Sequence, residues 1–379
     1  MTTRWSPEKT IIISVALLMA TGLIFIYSVS GPYSQQRDLA AWHFFLRQLV
    51  WAVLAMIALF IGSSLNYRKF LKLSPALLIA SLVFLVMVLL VPGRLNVHRW
   101  IELGFFRFQP SEVFKISLLM YMAHVLVDDK GKPKEARRIV PHLAIGGIGL
   151  LLIAAQPDLG TMALIFAATL ALLFAAGLPL KYLLVPILAI LVLGGAMVFG
   201  LGYEKDRVDD YVASLQDPFG DHAEANLSRG SYQIRQSLIS IGSGGLLGRG
   251  LGDGGQKNLF LPASHTDFIF SASAEEGGFV LCVSILTLFI IFGFAALKIA
   301  CRATDLKGFL LAIGLGAMIV LQAGINIGVA LGLLPITGIT LPFFSYGGSS
   351  LVISCAAAGL IMSVARHGGA PGVRSLKVR

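Results

Sequence analysis

The chain reads as an all-α polytopic membrane protein: ten transmembrane helices, with a large extracytoplasmic loop between helices 7 and 8. Three observations lead there. Charged residues make up only 13% of the 379 residues, about half the share of a soluble globular domain. Hydrophobic residues reach 56% and mean hydropathy is +0.81. The apolar residues fall into runs of about 20, the length that crosses a bilayer core.

The first run spans 10–29, after Arg4 and Lys9 in the segment 1–9. It is too long for a signal-peptide core and no small-x-small site follows closely, so it reads as a span that is retained. Further runs cover 46–65, 75–92, 110–127, 140–155, 160–178 and 181–201. Only Gln156-Pro157-Asp158-Leu159 divides the fifth from the sixth, and Pro with Asp makes a tight turn there. The polar stretch 202–276 is the large loop. Spans at 277–297, 308–334 and 349–365 complete the set, and 366–379 is a tail. No internal repeat or low-complexity tract divides the chain, so 1–379 is one membrane domain.

An even number of spans puts both termini on one side, and basic residues in short loops choose the side. With the N-terminus inside, inner segments hold 18 Lys and Arg and outer segments 11, six of them in the long loop. That places the termini in the cytoplasm and the elaborated face outside. The net charge of +10 follows from this distribution and does not point to nucleic acid. Cys282, Cys301 and Cys355 are odd in number and show no CxxC spacing, which excludes a disulfide framework and a cysteine metal site.

Ionisable residues at membrane depth are costly and usually functional. Arg47 begins the second span, and Asp158 stands in the turn between the fifth and sixth. Glu112 and Lys115 lie three apart on one face of the fourth span, where they can pair. Asp267, Glu275 and Glu276 lead into the eighth span, with the two glutamates placed to cap it. These segments would bring charge to one outer depth.

Four motifs sharpen the picture. RWIELGFFRFQPSE places Arg99 and Arg107 among aromatic residues at the interface, as binding of a lipid phosphate or diphosphate requires; an aromatic belt is the plainer alternative. GSGGLLGRGLGDGG formally contains a GxGxxG, but in a loop outside the membrane it is no dinucleotide fingerprint. Its backbone amides beside Arg249 and Lys257 could approach an anion, or the run is simply flexible. His265-Thr266-Asp267 offers too few ligands for a metal, while a carboxylate at a headgroup site could serve as general base on a hydroxyl. LLPITGITLPFFSYGGSS reads as a re-entrant or tightly turned loop supplying the hydroxyls of Ser345, Tyr346 and Ser349.

RWIELGFFRFQPSEVFK, QPDLGT, GSGGLLGRG, QKNLFLPASHTDFIFSASAEEGGF and NIGVALGLLPITGITLPFFSYGGSSL, in this order, resemble the SEDS family (shape, elongation, division, sporulation) from about Arg47 to Ser363. QK before LFLP and SYQIRQSLISIGSGG resemble the FtsW-like side, QPDLGT the RodA-like side; FtsW-like is preferred. Ala263-Ser264, where many members carry a charge, and Ser231 in place of a Gly depart from the pattern.

The resemblance implies polymerisation of lipid II into glycan strands at the outer face of the bacterial cytoplasmic membrane. It also implies a class B penicillin-binding protein as partner, along with other division or elongation membrane proteins. Asp267 matches the aspartate of the family's HTDFIF motif, the candidate catalytic base. Trp100, Arg47, Glu276 and the pair Glu112 and Lys115 match family positions. With Arg99, Asp158, Arg249, Lys257, His265 and Ser345 they form the candidate binding set for lipid II and undecaprenyl-diphosphate-linked glycan. No resident cofactor is called for, although a divalent cation, Mg or Mn, could help basic side chains hold the diphosphate. A flippase of the same precursor would need polar residues through the midplane, where these spans are nearly uncharged. A scaffold without chemistry would leave the outer charges without a role.

Overall fold

A computed structural model describes residues 6–35, 37–90, 99–103, 106–128, 130–179, 182–184, 187–188, 209–212, 229–255 and 261–368. Most of the expected seventh span at 181–201, and within the loop 202–276 the stretches 202–208, 213–228 and 256–260 with Lys257, lie outside the described residues.

The helices are α1 (Pro7–Gln35), α2 (His43–Ser64), α3 (Tyr67–Leu90), α4 (Pro110–Val125), α5 (Ala136–Ala154), α6 (Leu159–Ala175), α7 (Arg229–Ser243), α8 (Ile269–Cys301), α9 (Leu306–Ala330) and α10 (Gly348–His367). Seven of them, α1 to α3, α5 and α8 to α10, are long and apolar enough to cross a membrane, and α6 is a shorter apolar helix. The chain is therefore a multi-pass membrane protein. The all-α expectation needs one correction. Ile101–Leu103 (β1) and Phe106–Phe108 (β2) pair antiparallel, Glu102 opposite Arg107. In a segment read as an interfacial belt, the apolar–charged–apolar alternation is that of a strand.

α4 is the hub, touching α3, α5, α6, α9 and α10. Pro110 starts it, where a missing amide proton costs nothing. Nearly all of its residues are buried, Glu112, Lys115 and Ser117 included. Polar groups in lipid are expensive, so a helix that carries them goes to the middle of the bundle. Its neighbour α3 shows apolar residues outward instead, as with Ile79 and Val83.

α2 and α10 meet along small residues. Ala52, Ala55, Gly62 and Ser63 of α2 are buried, and a side chain on Gly359 of α10 would run into the Leu59 carbonyl. Membrane helices gain contact where small residues let their backbones approach. Gly359→Leu is expected to destabilise the protein by about 1–3 kcal/mol or more, as overpacking does, read as a lowered melting temperature in detergent. Gly324→Leu on α9, where no described residue beyond the local helix comes within 4 Å of the would-be Cβ, is the control that should melt like the parent. At the end of the bundle away from β1 and β2, Asp305 caps α9 through the Gly308 amide at 2.7 Å, and Tyr67 and Arg68 of α3 donate to it at 2.6 and 2.7 Å.

α8 starts eight residues before its expected boundary and breaks at Gly278, with φ 69° and ψ −170°. Glu275 and Glu276 are thus not N-terminal caps; they lie inside the helix, just before the break, and are buried. A broken helix leaves backbone groups without partners, and the glycine-rich run supplies them. The Arg249 and Gly250 amides donate to the Glu275 and Glu276 carbonyls, both at 3.0 Å. The Phe279 and Val280 amides donate to the Gly245 and Leu246 carbonyls at 2.9 and 3.2 Å. Side chains on Gly244, Gly248 or Gly278 would strike the opposite backbone. The run is a clamp on the kink, and these amides are not turned to an anion.

Candidate functional site

One cavity of about 510 Å³ opens at the end of the bundle that carries the hairpin. α2 contributes Arg47 and Trp51, one turn apart, so both face the same side. The hairpin segment adds Arg99, Trp100 and Arg107, and α4 adds Glu112. His265, Thr266 and Asp267 come from the turn before α8, and Gly338 to Thr340 with Tyr346 from the loop between α9 and α10. Four arginines, Arg37, Arg47, Arg99 and Arg107, face this space against the carboxylates of Glu112 and Asp267. A concave site with that excess of guanidinium favours an anion such as a phosphate ester.

The Asp267 segment is held by its backbone. Asn326 of α9 donates to the Asp267 carbonyl at 2.8 Å and to the Ile339 carbonyl at 2.7 Å. Ser345 donates to the Thr266 carbonyl at 2.7 Å while accepting the Leu341 amide at 2.8 Å. The Tyr346 amide donates to the His265 carbonyl at 3.0 Å. Two loops far apart in sequence are thereby joined, and the carboxylate sits on a fixed backbone. Ser345 itself does not line the cavity; its hydroxyl is spent on this joint.

His265 is buried in an aromatic cage, its ring centroid 4.8 Å from Tyr33, 5.2 Å from Phe44 and 5.7 Å from Tyr346. Burial, and then the charge of Arg37, hold its imidazole at about 4, against about 6.5 for a free histidine. The unfolded chain therefore binds the proton first as pH falls. Stability should decline as pH drops from about 6.5 towards 4 and level off below, since the deficit is then complete. Melting at pH 7.5 and at 4.5 measures it. His265→Phe, which keeps the ring packing, should flatten that part of the slope; an unchanged slope would assign it elsewhere.

Lys115 lies beneath the cavity. Its Nζ is 2.7 Å from Glu112 Oε2 and donates to Gln322 Oε1 at 2.8 Å. Gln322 in turn donates to the Thr340 carbonyl at 3.0 Å. The charged pair of α4 thus faces the cavity through its glutamate only.

Asp158 stands behind Arg99. It caps α6 by accepting the Thr161 amide at 3.2 Å, and its Oδ1 is 3.9 Å from Arg99 Nη1. Arg99 Nε donates to the Gln156 carbonyl at 2.9 Å. The turn between α5 and α6 thereby orients the guanidinium.

Two candidates sit apart. Arg249 pairs with the buried Glu275 at 3.3 Å, and Glu276 accepts the Ser28 hydroxyl at 2.8 and 2.6 Å. Neither lines the cavity, and both belong to the packing around the α8 kink. Conversely, sequence reasoning passed over Gln322, Asn326 and Gly338. The first two are amides in an otherwise apolar span, a signal that intramembrane polarity alone provides. Among the described residues no group of three or more His, Cys, Asp or Glu could hold a metal ion.

Residues 8–369 match the FtsW, RodA and SpoVE family model, described as cell cycle protein. Stage V sporulation protein E of Bacillus subtilis (strain 168) is 36% identical over 373 residues, covering 97% of this chain and 99% of the relative. The probable peptidoglycan glycosyltransferase FtsW of Aliivibrio salmonicida (strain LFI1238) is 37% identical over 353 residues, 92% of this chain and 86% of the relative. A solved structure of a peptidoglycan synthase complex that coordinates polymerization and crosslinking contains a chain with TM-score 0.75 and 29% identity, covering 94% of this chain and 97% of that one.

Proposed function

The chain belongs to the FtsW, RodA and SpoVE family, and on that premise we propose that it is a peptidoglycan glycosyltransferase polymerising lipid II at the outer face of the cytoplasmic membrane. The observation that carries the reading is a single cavity in a multi-pass membrane protein that joins Asp267 to Arg47, Arg99 and Trp100. A general base and anion-binding groups in one recess are what transfer of a sugar from a lipid diphosphate needs.

A growing chain on undecaprenyl diphosphate is the donor and lipid II the acceptor. Asp267 takes the proton of the acceptor 4-hydroxyl as that oxygen attacks the donor anomeric carbon. The bond to the diphosphate breaks, and the leaving group departs with the electron pair towards Arg99 and Arg47. Trp100 offers a face for a sugar ring, Glu112 with Lys115 and Asp158 with Arg99 keep these groups in place, and His265 supports the wall beside Asp267. A divalent cation, Mg or Mn, would add its charge to that of the arginines against the diphosphate.

Ten spans with the seventh at 181–201, cytoplasmic termini, and an outer loop from 202 to the start of α8 that holds Lys257 at the substrate surface belong to the same proposal. It also includes a class B penicillin-binding protein as the crosslinking partner, in division or elongation. Labelled lipid II given to the purified protein with that partner tests it: a ladder of glycan polymer is expected. Lipid II carried across a liposome membrane with no polymer formed would replace the reading with a flippase.

A further inference from the structure

Gly338 stands where two oppositely charged walls of the cavity meet. Its φ is +73°, a conformation open to glycine and costly for most residues. A Cβ on it would lie 3.8 Å from Nη1 of Arg99 and 3.9 Å from Oδ2 of Asp267. Guanidinium and carboxylate are thus no farther apart than those two distances laid end to end. The point that touches both is left open by a residue without a side chain.

The surrounding backbone cannot back away to make that room in another manner. Asn326 holds the Ile339 carbonyl at 2.7 Å and Gln322 the Thr340 carbonyl at 3.0 Å. On the other side Thr337 presses on α6, where a Cβ on Gly160 would come within 2.6 Å of it. The backbone that carries Gly338 is therefore held beside both Arg99 and Asp267.

We infer that the bare Cα of Gly338 is the seat of the reacting centre, and that its missing side chain is a positioning requirement of the reaction. The inference rests on the function proposed above and adds the place where the bond changes occur. A hydroxyl within about 2.6–3.2 Å of a carboxylate base and a diphosphate oxygen about 2.7–2.9 Å from a guanidinium flank this point. Attacking and broken bonds then share it: oxygen to anomeric carbon forms, carbon to diphosphate oxygen breaks. The proton goes to Asp267 and the leaving charge to Arg99. A side chain at 338 takes the volume that the anomeric carbon needs.

The test separates lost space from backbone strain. Asparagine tolerates positive φ better than most residues, so Gly338→Asn fills the space with little strain. Gly332→Asn is the matched control: it has φ +69° and lies beside Ile234 and Leu238, away from the cavity. Both proteins are purified with the penicillin-binding partner, melted, and given labelled lipid II. Gly338→Asn is expected to fold and lose about 10²-fold or more in polymerisation, as misplacement at a reacting centre does, while Gly332→Asn polymerises like the parent. The smaller Gly338→Ala should lose less and carries the test if the asparagine variant does not fold. Near-parental polymerisation by Gly338→Asn, or an equal loss in Gly332→Asn, overturns the inference. Asp267→Asn in the same assay tells the failures apart: if it too stays active, the proposed chemistry has failed; if it alone is inactive, only the seat has.

Discussion

Asp267→Asn is expected to reduce glycan polymerisation by about 10²–10⁴-fold, the usual worth of a general base, with the folded protein otherwise intact. The geometry supports a clean separation of the two effects. The segment is held by main-chain groups: the Asp267 carbonyl by Asn326, the Thr266 carbonyl by Ser345 and the His265 carbonyl by Tyr346. A substitution that alters only the end of the side chain leaves all three bonds in place. Asparagine matches aspartate in shape but cannot take a proton from the acceptor hydroxyl. Melting temperature should therefore stay close to the parent while the ladder of labelled polymer disappears. Polymer at a third or more of the parental rate would remove Asp267 from the role of base. Asp267→Asn that is inactive and also unfolded would give it a structural role instead.

The largest effect on stability is expected for Lys115→Met. Lys115 is 1% exposed and its ammonium is shared between Glu112 and Gln322. Such a pair gains little over an apolar core, since both charges were taken out of water, but removing one partner strands the other and costs about 3–5 kcal/mol. Here the stranded group would be the Glu112 carboxylate in the central helix, and Gln322 would lose its donor as well. Lys115→Met should melt far lower in detergent or fail to yield a monodisperse species. The double variant Glu112→Gln/Lys115→Met should recover a large part of that loss, because no unpaired charge remains; residues in one network are coupled in this manner. Activity should not return with stability, since Glu112 faces the cavity. A single variant as stable as the parent would show that the pair is hydrated.

Some of this was open to the eye in the linear chain, for a definite reason. Apolar runs at 10–29 or 308–334 reflect a solvent, the bilayer, that acts on each segment separately, and α1 and α9 fall on them. The i, i+3 spacing of Glu112 and Lys115 is local as well, and their contact at 2.7 Å follows from helix geometry. The hairpin was missed because its three-residue strands are too short to be told from an aromatic belt by pattern alone. The early start of α8 was missed because Glu275 and Glu276 look like boundary residues, and only burial of their side chains lets a helix run through them.

The division falls between properties of a segment and properties of a meeting. Hydropathy, charge and spacing along the chain determined by themselves that this is a helical membrane protein, and singled out Asp267, Arg47, Arg99 and Glu112 as residues worth chemistry, while Trp100 joined them through the family resemblance. Only the tertiary structure decided which candidates share a cavity and which, like Arg249 and Glu276, hold the broken helix together. It alone showed that one glycine lies close to both Arg99 and Asp267. The reason is distance in sequence: these contacts join residues tens to hundreds of positions apart, and packing rather than any local preference determines which of them meet.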